Sequence, residues 1–231
     1  MNCWSTGRTA KSLLSIVSCA VLLLCAPLPL AAQENGATSG QSEYTKAMAL
    51  FEEGEIPKGM PHLQKSANLG WPDAMFELGG LYDAGAGVEM DTGKSRHWYH
   101  KAALKNHVLA MYNLGYMHAN GQGGSKDLAK ARNWYEMAAG KDHPQSMFSL
   151  AELYSRGQGG TVDLAKARQW YEKAANKDHP RAMYELGKMY ARGEGGAKDI
   201  PKARATLAKA AENGMSQAAR ALAILNMKNG K

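Results

Sequence analysis

Apolar residues recur along this chain at the spacing of one helix face. In one stretch they occupy the first, second, fifth and ninth positions, which hold Ala110, Met111, Leu114 and His118. Spacing by three and four residues places such positions on one side of an α-helix. A second helical pattern follows, and its apolar side holds Ala131, Trp134, Tyr135 and Ala138. The two stretches predict a pair of antiparallel helices joined by a short loop.

The same pattern returns every 36 residues, with starts at Ala74, Ala110, Ser146, Ala182 and Ala218. In each of the first four units a Gly-x-Gly loop follows the first helix, and an aspartate comes shortly after the loop. The aspartates are Asp91, Asp127, Asp163 and Asp199. Glycine ends a helix because it takes the left-handed conformation without a Cβ clash. Aspartate begins the next helix by accepting hydrogen bonds from free backbone N–H groups.

Such helix pairs bury their apolar faces only by stacking on one another. Four strong units are predicted, at residues 74–109, 110–145, 146–181 and 182–217. A degenerate unit at 42–73 precedes them, and a capping half-unit at 218–231 follows. We therefore expect residues 42–231 to form one all-α repeat array.

The first 32 residues have the pattern of a secretory signal peptide. Arg8 and Lys11 supply a positive start, residues 13–30 are almost wholly apolar, and small residues follow up to Ala32. We expect cleavage after Ala32 and a periplasmic or secreted protein. The alternatives are a retained membrane anchor and a lipoprotein attached through Cys19.

Residues 33–41 contain no large apolar side chain and are expected to form a flexible linker. All three cysteines lie in the leader, so the mature chain is expected to have no disulfide and no thiolate chemistry. Removal of the leader lowers the net charge from +7 to +5, because it takes away two basic residues and no acidic one. That mild charge favours solubility over nucleic-acid binding. Rows of lysines and arginines, beginning at Lys94 and Arg96, are expected to pair locally with aspartate and glutamate.

The search for catalytic and metal-binding patterns predicts no catalytic, cofactor or metal site. The glycine loops lack the Lys-Ser/Thr of a phosphate-binding loop. His107, His143 and His179 lie one unit apart, too far to share a metal ion, and are expected to be turn residues. His97 and His100 could face one ion from one helix, but no third ligand is near them in sequence.

The recurring pattern A-x-x-x-L-G-x-x-Y-x-x-G-x-G-x-x-x-D-x-x-K-A-x-x-W-Y-x-x-A-A resembles the Sel-1-like repeat family, which is related to tetratricopeptide repeats. The resemblance covers residues 42–231. It implies a right-handed α/α superhelical solenoid of about five helix-turn-helix repeats with a C-terminal capping helix. One departure lies in the loops: the residue after Gly-x-Gly is Val88 in the first strong unit, but glycine at Gly124, Gly160 and Gly196.

Members of this family mostly hold partner proteins. The resemblance therefore implies a non-enzymatic, monomeric protein-binding scaffold or adaptor in the bacterial periplasm or outside the cell. No cofactor and no nucleic acid are expected, and contact with the membrane is expected only through the signal peptide. The alternative is an envelope hydrolase or a β-lactam-binding protein, although the chain lacks the cysteines of such members and any S-x-x-K, S-D-N or K-T-G motif.

A binding stripe is predicted on the first helices. At about 100° per residue, the third, seventh and eleventh positions point away from the core positions. By resemblance to tetratricopeptide arrays, this side lines the concave groove. We call its residues the first-helix stripe: Phe76, Tyr112, Tyr116, Asn120, Phe148, Glu152, Arg156, Tyr184, Lys188 and Arg192. Aromatic anchors with polar neighbours suit a peptide or a partner helix. The alternative is that the rings pack against the first helix of the neighbouring unit.

Overall fold

The structure is a computed structural model that describes residues 37–229. The predicted signal peptide, its cysteines and residues 33–36 lie outside the described residues. The described chain forms eleven α-helices and no β-strand. The helices are α1 Ala37–Glu52, α2 Ile56–Asn68, α3 Pro72–Ala84, α4 Thr92–Leu104, α5 Val108–Asn120, α6 Leu128–Ala139, α7 Pro144–Arg156, α8 Leu164–Asn176, α9 Pro180–Arg192, α10 Ile200–Glu212 and α11 Ser216–Asn229. None of these eleven is long and apolar enough to cross a membrane.

The order of the helices confirms the predicted all-α repeat fold. The chain divides into two compact units. In the N-terminal unit, whose described part is 37–110 with 122–124, α1 packs on α2, α2 on α3 and α3 on α4. In the C-terminal unit, whose described part is 111–121 with 125–229, each helix from α6 to α11 packs on the next. Within both units the helices alternate between first and second helices of a repeat.

The aspartates cap the second helices as predicted. The Oδ1 atom of each accepts a hydrogen bond of 2.9 Å from the N–H three residues later, in Asp91, Asp127, Asp163 and Asp199. Hydrogen bonds from these N–H groups hold the pKa of Asp91, Asp127 and Asp163 below its ordinary value. The first helices α3, α7 and α9 end at left-handed glycines, with φ of 66° at Gly85 and 73° at Gly193.

The predicted core positions are buried. Ala110, Met111 and Leu114 are at most 1% exposed, and their equivalents in the other three strong units are also buried. The small residue at the sixth position lets the second helix approach closely. A Cβ atom on Gly115 would lie 2.6 Å from the ring of Tyr135. This contact explains why glycine is accepted in mid-helix, at a cost of about 1 kcal/mol in helix propensity.

The predicted flexible linker is wrong for residues 37–41, because α1 begins at Ala37. The Ser66 hydroxyl of α2 donates a 2.6 Å hydrogen bond to the carbonyl of Gly40. A Cβ atom on Gly40 would lie 3.5 Å from the Cβ atoms of Leu69 and Trp71, an ordinary van der Waals distance, so α1 lies in close contact with the end of α2. Packing against α2 therefore outweighs the weak local preference of these residues for a helix.

Candidate functional site

The aromatic residues of the first-helix stripe pack within their own units. Phe148 lies 5.8 Å from Tyr171 of the following second helix and 4.8 Å from the ring of His179, between centroids. Two of the other three third-position rings repeat this arrangement: Phe76 with Tyr99 and His107, and Tyr112 with Tyr135 and His143. These rings thus pack on the second helix of their own repeat and on a histidine. The alternative stated from the sequence was packing against the first helix of the neighbouring repeat.

The exposure of these rings differs along the chain. Phe148 is 6% exposed and cannot anchor a partner without moving. Phe76, Tyr112 and Tyr184 are half-buried, so each keeps an edge toward solvent. The Lys188 ammonium lies 4.9 Å from the centre of the Tyr184 ring.

The histidines that the sequence predicted as turn residues are helix N-caps. Nδ1 of His179 accepts a 3.2 Å hydrogen bond from the backbone N–H of Ala182. His107 and His143 do the same for the N–H groups of Ala110 and Ser146. An acceptor at Nδ1 requires an unprotonated nitrogen there. Burial lowers the pKa of His143 and His179, which is consistent with neutral rings. Their spacing, three residues before each unit's first position, was visible in the sequence.

Charged residues of the stripe pair with neighbours in the chain, Arg192 with Glu194 of the following loop at 3.4 Å and the others along their own helices. Arg156 donates to Glu152 at 2.8 Å, and Lys188 to Glu185 at 2.7 Å. The side chain of Arg156 is 62% exposed and that of Arg192 is 61% exposed, so both guanidinium groups remain accessible. Both occupy the eleventh position, on α7 and α9 of the C-terminal unit.

The remaining two members of the stripe lie near the C-terminal end of α5. Tyr116 is half-buried and Asn120 is exposed. The Asn120 side-chain amide donates a 2.9 Å hydrogen bond to the Tyr116 carbonyl, which satisfies part of the helix end.

In the structure, the residue at the fourth position of a first helix also lies on the side that carries the stripe. Glu185 occupies it in α9, and its carboxylate is the partner of Lys188. Burial raises the pKa of Glu152, the nearby charge of Arg156 lowers it, and Glu185 raises it again. The same helical angle calculation applied to the fourth position would have indicated these residues, because it falls at about 300° from the first.

Glu77 holds the fourth position in α3 of the N-terminal unit. Burial raises the pKa of its carboxyl to about 7; the charge of His107 acts against this shift, and that of Asp73 adds to it. The pKa of the Tyr44 hydroxyl is raised above its ordinary value, first by burial and then by Glu77 and Asp73. Asp73 itself has a half-exposed side chain, and its carboxylate lies 3.4 Å from Nε2 of His107.

The four lysines of one row, and Arg132 and Arg168 of the other, pair locally with carboxylates, as predicted. Each capping aspartate forms an ion pair of 3.4 to 3.6 Å with the lysine three residues later. The Arg132 guanidinium lies 3.7 Å from the centre of the Tyr154 ring, whose hydroxyl donates to Glu136 at 2.9 Å. Arg168, Tyr190 and Glu172 repeat this set. These arginines join successive repeats and are not available to a ligand.

The arginines also account for the glycine that departs from the family pattern. A Cβ atom on Gly196 would lie 2.6 Å from an Nη atom of Arg168, and Gly160 stands in the same relation to Arg132. The glycine thus makes room for the arginine of the preceding second helix. Within residues 37–229, no three His, Cys, Asp or Glu side chains lie together in a way that could hold a metal ion.

Comparison with known proteins agrees with this architecture. The family model described as Sel1 repeat matches residues 72–107, 108–143, 144–179 and 180–215. The crystal structure of a Sel1 repeat protein from Oxalobacter formigenes is similar with a TM-score of 0.73 and 32% identity, over 78% of this chain and 74% of that one. No curated protein sequence matches the chain.

A second similar structure is that of a protective antigen present in uropathogenic Escherichia coli strains, which displays an SLR fold. The TM-score is 0.78 and the identity 28%, over 83% of this chain. This chain spans 42% of the length of that antigen. Sel1 repeats are in general a non-catalytic, protein-binding α/α solenoid fold. Because the family model matches four consecutive repeats with the observed helix pairs, the chain belongs to the Sel1 repeat family.

Proposed function

We propose that this protein is a non-enzymatic scaffold that binds a partner protein in the bacterial periplasm or outside the cell. The observation that supports the binding surface most directly is the pair Arg156 and Arg192. Both are more than half exposed, and both occupy the same position of consecutive first helices in the C-terminal unit. Repeated exposed groups on successive helices suit an extended or helical segment of a partner.

The stripe offers two kinds of contact to such a segment. The rings of Tyr112, Tyr116 and Tyr184 are half-buried and present ring edges to solvent, and those of Tyr112 and Tyr184 are held by packing against the core. The carboxylate of Glu152 and the basic groups of Arg156 and Lys188 offer charges of both signs. Aromatic anchors beside paired charges favour a partner segment of mixed charge with at least one large apolar residue.

The location is proposed from the leader. Export would remove residues 1–32, and the intact mass of exported protein should correspond to a chain that begins at Gln33. A mass that includes residues 1–32, or a lipid on Cys19, would contradict the proposal. The similarity to an antigen of uropathogenic strains is in keeping with an exported protein.

The binding proposal can be tested by affinity capture from envelope extracts, followed by titration of the captured partner. The double variant Tyr112→Ala/Tyr116→Ala and the double variant Arg156→Ser/Arg192→Ser should each bind at least about tenfold more weakly, or about 1.4 kcal/mol. The matched control is Lys130→Ser/Lys166→Ser, which removes two lysines from second helices. Equal affinity of both stripe variants and the wild type would contradict the proposed surface.

The folding stability of the same variants separates binding from packing. If Tyr112→Ala/Tyr116→Ala loses several kcal/mol of unfolding free energy, as core truncations do, the tyrosine pair is structural. The enzymatic alternative is tested with a chromogenic β-lactam. Turnover above the buffer blank that survives a second purification would overturn the non-enzymatic proposal.

A further inference from the structure

Three leucines are exposed at the turns that join successive repeats in the N-terminal unit, and Met90 is exposed in the loop inside one repeat. Leu69 follows α2 and is 51% exposed, Leu104 ends α4 and is 64% exposed, and Leu109 is the second residue of α5 and is 47% exposed. We call these three residues the leucine edge. The turn that holds Leu104 and Leu109 lies beside the start of α3, because His107 Nε2 is 3.4 Å from the Asp73 carboxylate. Leu69 lies four residues before Asp73 in the turn between α2 and α3.

The repeats provide an internal comparison for this edge. The residues 36, 72 and 108 positions after Leu104 are Gly140, Asn176 and Glu212. Those that correspond to Leu109 are Gln145, Arg181 and Gln217, and those that correspond to Leu69 are Lys105, Lys141, Lys177 and Asn213. The repeat fold therefore does not require apolar residues at these turns. The exposed leucines at these turns are therefore particular to the N-terminal compact unit and are not a general feature of the repeat fold.

The helix that leads to this edge is basic. No aspartate or glutamate occurs between Asp91 and Asp127. Along the exposed side of α4, His97 and His100 precede Leu104, and Lys101 and Lys105 lie beside it. His100 occupies the position that holds Glu136 and Glu172 in the next two repeats. This helix thus lacks the carboxylate that pairs with arginine in its neighbours.

We propose that the leucine edge, together with Lys101 and Lys105, is a peripheral binding site for an anionic phospholipid bilayer. Leucines that project from turns can enter the interfacial layer of a bilayer without a complementary pocket. Lysines beside them attract anionic headgroups. The site goes beyond the proposed scaffold function, since it uses residues at the turns of the N-terminal unit and none of the first-helix stripe.

The combination of groups favours a bilayer over two other anionic partners. A nucleic acid would be bound through basic groups and would gain little from exposed leucines. An acidic protein would need a surface shaped to several separate turns. A fluid bilayer needs neither shape complementarity nor sequence, and it uses both the apolar and the basic groups present.

The proposal is tested by sedimentation with vesicles of phosphatidylcholine that either contain or lack phosphatidylglycerol. The full chain is expressed in an exporting host and used as purified. Wild-type protein should bind the phosphatidylglycerol vesicles and bind the neutral vesicles far more weakly. Leu104→Ser/Leu109→Ser should bind at least about tenfold more weakly, because the loss of two exposed leucines removes apolar insertion. Lys101→Gln/Lys105→Gln should lose about fivefold per lysine, and added salt should weaken wild-type binding.

The matched control is Met137→Ser/Val162→Ser, which removes two comparably exposed apolar residues, 47% and 59% exposed, from the C-terminal unit. It should bind as the wild type does.

Circular dichroism melts of all variants should coincide, since the altered residues are on the surface. Absence of vesicle binding would overturn the proposal. Undiminished binding by the leucine variant would overturn it too, whether a retained leader or another surface is responsible. Equal binding of wild type and leucine variant to DNA, with no vesicle binding, would assign the basic helix to nucleic acid. Vesicle binding and partner capture by the first-helix stripe can fail independently.

Discussion

The rings of Phe148 and His179 stack with centroids 4.8 Å apart and an angle of 19° between their planes. The same histidine ring also caps α9, because its Nδ1 atom accepts a hydrogen bond from the backbone N–H of Ala182. One pair of side chains therefore links the first helix of one repeat to the start of the first helix of the next. The pair Phe76 and His107 repeats the stacked arrangement at 4.4 Å in the N-terminal unit.

Phe148→Ala should be strongly destabilising, because it removes a buried ring that supports both Tyr171 and His179. We expect a loss of about 3–5 kcal/mol in unfolding free energy, measured by urea denaturation. Tyr184→Ala is the matched control at the equivalent position of α9, where the ring is half-buried. Its loss should be clearly smaller. Equal losses would contradict the prediction that the buried ring of Phe148 contributes more to stability than the half-buried ring of Tyr184.

The histidine caps should make stability depend on pH. Burial lowers the pKa of His143 and His179, so the folded protein keeps them neutral while the unfolded chain takes up protons below its ordinary pKa of 6.5. Their contribution is present above that value and is lost as the pH falls below it. In His143→Asn/His179→Asn the cap oxygen accepts at any pH in this range.

The measurement is the difference in melting temperature between wild type and this double variant, from about pH 7 to about pH 5. Wild type should lose more stability than the variant over this interval. Parallel curves would show that the caps do not titrate. The melting temperatures of wild type and double variant must be compared at each pH, because other groups, including Glu77, titrate in the same interval.

Glu77→Gln should stabilise the protein at alkaline pH. Burial raises the pKa of Glu77 from 4.5 to about 7, so the folded state favours the neutral acid. The stability linked to the neutral form is full below pH 4.5 and is lost as the pH rises through about 7. A glutamine is neutral throughout and should raise the unfolding free energy at about pH 8 by up to about 3 kcal/mol.

At about pH 5 the same substitution should have little effect, because wild-type Glu77 is then protonated in the folded state. Glu53→Gln, at an exposed position, serves as the control and should change neither value. A stabilisation of Glu77→Gln that is equal at both pH values would contradict the assigned titration. The readout is chemical denaturation at each pH.

Two glycine substitutions separate backbone strain from close packing. Gly159 and Gly214 have similar left-handed φ values of 75° and 83°. A Cβ atom on Gly159 would collide with the carbonyl oxygen of Leu128, whereas at Gly214 it would meet nothing within 4 Å. Gly159→Ala should therefore cost at least about 2 kcal/mol more unfolding free energy than Gly214→Ala. Both share the strain of about 1–2 kcal/mol that a left-handed alanine carries. Equal costs would mean that the loop moves away from Leu128 freely.

Much of the fold could be predicted because it follows from local patterns. The 36-residue period, the capping aspartates and the buried first, second and fifth positions depend on residues within one helix or one loop. Such patterns identify which side of a helix is apolar. The sixth-position glycine is also part of the repeating pattern, and the structure supplies its reason, the ring of Tyr135 packed on Gly115. By contrast, residues 33–41 were assigned to a linker on composition alone, and composition does not register the contact between Gly40 and α2.

The sequence by itself determined the number of helix pairs, the aspartate caps of the second helices and the first, second and fifth core positions, because each repeats within a short window and obeys helical geometry. The histidine caps of the first helices were found only in the structure. Tertiary structure decided which side chains that core leaves exposed. Tyr112 and Phe148 share one helix position, yet one is half-buried and the other is 6% exposed. The rings that cover them come from residues 23 to 31 positions later in the chain. The glycine at 160 and the arginine at 132 likewise depend on each other across a repeat boundary. Contacts between residues this far apart in the chain depend on how the helices pack on one another. The spacing of apolar residues within one helix carries no information about the side chains of its neighbour.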